Sequence, residues 1–161
     1  MRGGTSSDKL YGQSGSDKLY GDSGNDYLSG GSSKDNLYGG SGKDKLKGGT
    51  SADYLYGGTG NDKLYGGSGN DTLIGGTGKD DLYGGSGHDI FRLTTGSGYD
   101  RIRDFKLGED LIDLGGLSLS QVNAFNSGNN IKIYKGNSDL LAVLYGYDMS
   151  DLLRYINSGY A

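Results

Sequence analysis

Gly57-Gly58-Thr59-Gly60-Asn61-Asp62-Lys63-Leu64-Tyr65 is one clean copy of a nine-residue unit, and the chain on both sides repeats it without a slip. Aspartate returns at Asp8, Asp17, Asp26, Asp35, Asp44, Asp53, Asp62, Asp71, Asp80 and Asp89, so ten copies share one phase across residues 3–92. Position 1 of the unit is always glycine, position 3 is Ser or Thr, and position 8 is Leu nine times and Phe91 once. Position 2 departs from glycine only at Gln13 and Asp22, and position 4 only at Ser6, Ser33 and Ser51. A fixed period of this kind marks a solenoid, in which each unit buries its apolar residue by stacking on its neighbours.

The unit also dictates how the chain coils. Glycines in positions 1 to 6 supply tight turns, and positions 7 to 9 read as a three-residue strand with one inward apolar side chain between two outward ones. Two units make a coil of 18 residues with leucines facing across a thin interior, giving five coils in all. The expected fold is all-β: a right-handed parallel β-roll with a C-terminal β-rich cap and a short helix. Coiling sorts the aspartates into two columns. Asp8, Asp26, Asp44, Asp62 and Asp80 line one edge, and Asp17, Asp35, Asp53, Asp71 and Asp89 the other. Stacked carboxylates repel, and ten small apolar contacts do not offset the ordering entropy of so many glycines. The bare roll is therefore not expected to be stable.

Composition narrows the function classes. With 34 glycines in 161 residues, 32% hydrophobic residues, no proline and no cysteine, a deep conventional core, collagen and a disulfide scaffold are all excluded. Of the 20 acidic residues only Glu109 is Glu, which points away from helix. A net charge of -4 without a basic run gives no footprint for nucleic acid, and the longest apolar run, Leu140 to Tyr145, is too short for membrane insertion. Met1-Arg2 leads straight into Gly3-Gly4, so a cleavable N-terminal export signal is not expected.

The pattern G-G-x-G-x-D-x-(apolar)-x over residues 3–92 resembles the RTX (repeats-in-toxin, haemolysin-type) calcium-binding family. The resemblance implies calcium ions between turns two units apart, held by the position-6 Asp of both turns and by backbone carbonyls of positions 1 to 4. On this sequence the implied ligands are the ten column aspartates, with carbonyls from Gly39, Gly40, Ser41 and Gly42, from Gly57, Gly58, Thr59 and Gly60, and from Gly66, Gly67, Ser68 and Gly69. Gly75, Gly76, Thr77 and Gly78, and Gly84, Gly85, Ser86 and Gly87, complete that set. Five turns per column leave four gaps, hence up to eight interior sites plus a terminal one. An all-oxygen shell suits Ca²⁺, whereas Zn²⁺ is disfavoured with a single histidine and no cysteine, and Mg²⁺ fits carbonyl cages poorly. The gaps between units starting at Gly39 and Gly57, Gly57 and Gly75, and Gly66 and Gly84 keep glycine at positions 1, 2 and 4 and are expected to bind tightest.

After Arg92 the register breaks. Residues 93–116 form a closing segment, in which Gly96-Ser97-Gly98-Tyr99-Asp100-Arg101-Ile102 is a turn-like unit displaced by two residues, so Asp100 is a candidate terminal ligand. Asp104-Phe105 and Gly108-Glu109-Asp110-Leu111-Ile112-Asp113-Leu114 resemble the family's closing segment. Residues 117–161 read as a cap: a β-hairpin of Ile131 to Tyr134 with Leu140 to Tyr145, then a short amphipathic helix from Asp148 to Ile156. In proteins that this resembles, an uncleaved C-terminal signal directs type I secretion.

The sequence therefore reads as a secreted or cell-surface bacterial calcium-binding module, disordered at low Ca²⁺ and folding outside the cell. It would act as secretion aid and extracellular scaffold, with the type I secretion machinery as partner and no enzymatic activity. Two alternatives stand beside it: a non-catalytic piece of a larger secreted enzyme or toxin, and a surface adhesin, self-assembling matrix or ice-binding roll. Tyr11, Tyr20, Tyr38, Tyr56, Tyr65 and Tyr83 at position 9 read first as strand packing and second as a stripe for a surface glycan. Lys9, Lys18, Lys45 and Lys63 at position 7 read first as a solvated face and second as an anion-binding ladder. His88 has no nucleophile beside it, the even spacing of the aspartates is structural rather than that of paired catalytic acids, and Lys43 and Lys79 interrupt any flat ice-binding array.

Overall fold

The computed structural model describes residues 1–147, except 129, 137 and 138, together with residue 150. The roll is built from β1 (Arg2–Gly4), β2 (Lys9–Ser14), β3 (Lys18–Ser23), β4 (Tyr27–Ser32), β5 (Asn36–Ser41), β6 (Lys45–Thr50), β7 (Tyr54–Thr59), β8 (Lys63–Ser68), β9 (Thr72–Thr77), β10 (Asp81–Ser86), β11 (Ile90–Arg92), β12 (Asp100–Ile102) and β13 (Leu111–Asp113). Odd strands make a seven-stranded parallel sheet in the order β1-β3-β5-β7-β9-β11-β13. Even strands β2 to β12 make the facing sheet, so each strand pairs with the one two units away. The all-β parallel roll expected from the period is the observed fold.

Two details differ from the sequence reading. From β2 to β10 the strands are six residues long, not three, because positions 1 to 3 of the following unit stay in the ladder: Gly49 pairs with Gly67 and Thr50 with Ser68. Glycine permits this at position 2, where φ is near 110° and the carbonyl of the preceding coil lies where a side chain would start, as Gly40 O does against Gly58. The roll also has a sixth coil. Ile102 pairs with Leu82 and Ile112 with Phe91, so β12 and β13 place apolar side chains in register with position 8 although residues have been inserted before them. The loops absorb the extra residues, since register is fixed by the buried side chain.

Leucines 19, 28, 37, 46, 55, 64, 73 and 82 are all fully buried, in two facing files between the sheets. At the C-terminal end this thin core widens, with Leu93, Ile102, Phe105, Ile131, Ile133, Leu141, Ala142 and Leu144 joining it. The last five belong to the expected hairpin: β15 (Asn130–Lys135) pairs antiparallel with β16 (Asp139–Tyr145), and β16 adds in parallel to β12, extending the even sheet over the end of the roll. A third strand, β14 (Val122–Asn126), pairs with β15 and was not foreseen. The helix expected from Asp148 to Ile156 lies outside the described residues apart from Ser150. No helix among the described residues is long and apolar enough to cross a membrane.

Where glycine is replaced, the turn keeps its shape at a cost. Gln13 and Asp22 at position 2 hold φ of 72° and 70°, and Ser33 and Ser51 at position 4 both hold 78°. The left-handed region costs a non-glycine residue about 1–2 kcal/mol, partly offset by the greater unfolded-state freedom of glycine. Ser33→Gly and Ser51→Gly are therefore each expected to stabilise the calcium-loaded roll by about 1 kcal/mol, read as a higher melting temperature. Unchanged or lowered melting temperatures would refute the strain account.

Candidate metal centres

The two turn edges carry the sites. Each position-6 aspartate is presented by a turn whose end is fixed by the strand that follows, so successive carboxylates stack one coil apart. The Asp26 N–H donates to Asp44 Oδ1 at 2.8 Å, Asp44 N–H to Asp62 Oδ1 at 2.8 Å, and Asp62 N–H to Asp80 Oδ1 at 2.8 Å. The other edge repeats the pattern from Asp17 through Asp35, Asp53 and Asp71 to Asp89. One oxygen of each carboxylate from Asp26 to Asp89 is thereby engaged, which fixes the rotamer.

The second oxygen is not engaged. Oδ2 of Asp8, Asp17, Asp26, Asp35, Asp44, Asp53, Asp62, Asp71, Asp80 and Asp89 is buried without a hydrogen-bond partner. An orphaned buried acceptor costs about 1–3 kcal/mol, and more when charged, so a column of them calls for a counter-charge. A backbone oxygen converges on the same place: a Cβ at Gly39 would lie 2.5 Å from Asp44 Oδ2 and 2.5 Å from the carbonyl of Gly57, and one at Gly57 would lie equally close to Asp62 Oδ2 and the Gly75 carbonyl. Position 1 must be glycine for this reason. Among the described residues no three His, Cys, Asp or Glu side chains converge on one point, so a cation here would draw on backbone carbonyls as well as carboxylates. That donor set, hard oxygen only, fits Ca²⁺.

Burial sets the electrostatics. It pushes Asp53 and Asp62 up to about 7 and Asp44 and Asp71 up to about 6, while the N–H bond from the preceding aspartate pulls the other way. Asp35 and Asp89 are raised for the same cause. The columns are therefore poor places for bare negative charge.

Both columns continue into the sixth coil. Asp100 is buried, and its Oδ1 lies with Asp80 Oδ2 against Gly75, so it does stand at the end of the first column as expected. Its carboxyl is raised well above the ordinary range by burial and by Asp80. The second column ends on a residue that the strict period missed: Asp110 Oδ1 accepts the Asp89 N–H at 3.0 Å, and its Oδ2 accepts the Lys106 N–H at 2.8 Å. Asp104, also missed, accepts from the N–H groups of Gly84 at 2.8 Å and Gly85 at 3.0 Å. The signal was in Gly108-Glu109-Asp110-Leu111-Ile112-Asp113, which matches positions 4 to 9 of the unit but falls 21 residues after Asp89 rather than 18. His88 Nδ1 donates to the Glu109 carbonyl at 2.9 Å, so the sole histidine ties the last full unit to this closing turn.

Comparison with known proteins places the chain. The model of the RTX calcium-binding nonapeptide repeat, four copies long, matches residues 2–37, 29–64 and 56–91, more than half of the chain. The protein belongs to this family and is a calcium-binding RTX repeat module. Among solved structures, the solution structure of the AlgE6R3 subunit from the Azotobacter vinelandii mannuronan C5-epimerase is similar, with a TM-score of 0.51 and 30% identity over 65% of this chain and 71% of that one. No curated protein matches the chain.

Proposed function

We propose that the protein is a secreted, non-catalytic module that stays unfolded where Ca²⁺ is scarce and folds on Ca²⁺ outside the cell, serving as secretion aid and extracellular scaffold. The observation that carries this reading is the set of ten buried aspartate oxygens without partners, which make the metal-free roll costly. The residues that would hold the ions are the column aspartates and the glycine-rich turns at positions 1 to 4, including Gly39 to Gly42 and Gly57 to Gly60. With Asp100 and Asp110 each column has six carboxylates and five gaps, so the capacity rises from the eight interior sites of five coils to as many as ten. Bound calcium supplies the positive charge that the buried carboxylates lack, and binding only to the folded chain adds stability by mass action.

Extracellular calcium sites have dissociation constants of about 10⁻⁴ to 10⁻³ M, which places the switch between cytosolic and external concentrations. Family membership supports an extracellular bacterial setting, and export by the type I machinery is the route consistent with it. A second reading, a module of a larger secreted enzyme, is favoured by the likeness to an epimerase subunit.

The test is a Ca²⁺ titration of the EDTA-treated protein by far-UV circular dichroism, beside Mg²⁺. The expected result is a cooperative gain of β signal in the sub-millimolar to millimolar range with Ca²⁺ alone. A chain that is fully folded in EDTA, or folded equally by Mg²⁺, would overturn the proposal.

A further inference from the structure

The two outer faces of the roll differ in charge. Along even strands β2 to β12 and just beyond, the outward residues include Lys9, Lys45, Lys47, Lys63, Arg101 and Arg103, against a single outward acid, Asp81, which both arginines already bind at 2.9 and 2.8 Å. On the odd sheet Arg92 is paired with Asp113, and Lys18 lies 5.8 Å from the ring centres of both Tyr20 and Tyr38. Basic charge is thus gathered on one side of an acidic chain.

Its centre is a shallow cleft of about 360 Å³ with a floor of Gly49, Gly66 and Gly67 and walls of Lys45, Lys47 and Tyr65. Lys45 is in register with Lys63 and Lys47 with Tyr65 on the neighbouring strand. All three lysines are exposed, and none has a carboxylate partner among the described residues. Like charges side by side in a sheet are unfavourable, so this arrangement lowers roll stability unless an anion lies across it.

We infer that this cleft and the even-sheet face binding an acidic polysaccharide is a further activity of the protein, with Lys45, Lys47 and Lys63 taking carboxylates and the edge and hydroxyl of Tyr65 meeting a sugar ring. Lys45 and Lys63 lie one strand spacing apart, about 4.8 Å, close to the length of one pyranose residue, so a linear polymer laid along the roll axis meets these two in step. Nucleic acid fits less well. Tyr65 stacks on Tyr83, with centroids 4.8 Å apart and planes 7° apart, and Lys45 Nζ lies 5.5 Å from the Tyr65 ring centre, leaving the edge and hydroxyl of Tyr65 rather than a free face for a base. Edges and hydroxyls suit sugar C–H and O–H groups. The column aspartates from Asp26 to Asp89 do not oppose the polymer, because they are turned into the edges and buried.

The experiment is an NMR titration of the full chain in saturating Ca²⁺ with a short oligogalacturonide pre-equilibrated with Ca²⁺. Circular dichroism on the same sample shows that the roll is folded, so a failure of calcium folding is told apart from a failure of sugar binding. Shifts are expected at Lys45, Lys47, Lys63 and Tyr65 and not at Lys18 or Tyr20. The triple variant K45A/K47A/K63A is expected to weaken binding by about tenfold or more while its calcium midpoint does not rise, and added salt should weaken the wild type. Equal binding of the methyl-esterified oligosaccharide, tighter binding of single-stranded DNA, unchanged affinity in the triple variant, or no binding would each overturn the inference.

Discussion

Asp62→Ala is expected to remove two calcium ions from the protein, whereas Asp8→Ala removes one. Asp62 Oδ1 accepts the Asp44 N–H and Asp62 Oδ2 lies with the Gly75 carbonyl of the next coil, so its carboxylate faces the gap on either side. Asp8 stands at the start of its column and faces only the gap toward Asp26. Each ion bound at a hundredfold excess over its dissociation constant contributes about 2.7 kcal/mol, so two approach the whole stability of a typical domain, about 5–15 kcal/mol. The central variant should therefore lose calorimetric stoichiometry by two and cooperative folding at millimolar Ca²⁺, while the terminal one stays folded with its midpoint raised only slightly. Equal losses in the two variants would show that carboxylates are not shared between gaps.

Acid is expected to act in opposite directions with and without calcium. Burial raises Asp53 and Asp62 to about 7 and Asp44 and Asp71 to about 6 in the metal-free roll, above the unfolded value of about 3.9. The folded chain then holds more protons than the unfolded one between about pH 4 and pH 7, so its stability is greatest at the acid end and is lost as pH rises through that window. In EDTA, melting at about pH 4.5 should reveal more ordered roll than at about pH 8. With Ca²⁺ the order reverses, since protons must leave the same oxygens before the metal binds, and the calcium midpoint should climb as pH falls below about 7. A metal-free chain that gains structure as pH rises would contradict the burial seen in both columns.

Comparison of the roll with its ends shows what was legible in the sequence. The strict nine-residue period, with Asp8 to Asp89 and Leu10 to Phe91 in fixed places, gave the coil, the two columns and the buried leucine files, because each follows from spacing within one or two units. It also marked Gln13, Asp22, Ser33 and Ser51 as departures, and the positive φ at each shows why glycine was wanted there. Strand length was misjudged because the ladder through Gly49 and Gly67 depends on the neighbouring coil rather than on local alternation.

The sixth coil was half visible. Asp100 was found at a displacement of two residues, but Asp110 lay three residues out of step with Asp89 and was taken only as part of a closing segment. A period search penalises insertions, whereas the folded roll does not, since a loop can bulge outward while Ile102 and Ile112 still reach the core.

The sequence by itself determined that this chain coils, where its turns fall and which oxygens line them, because those properties are set by residue type at short, regular separation. Only the tertiary structure decided how the roll ends, through β16 joining β12 and Asp104 and Asp110 reaching back to Gly84 and Asp89. These depend on contacts between residues about 20 or more apart in chains of unequal loop length, and no local spacing encodes them.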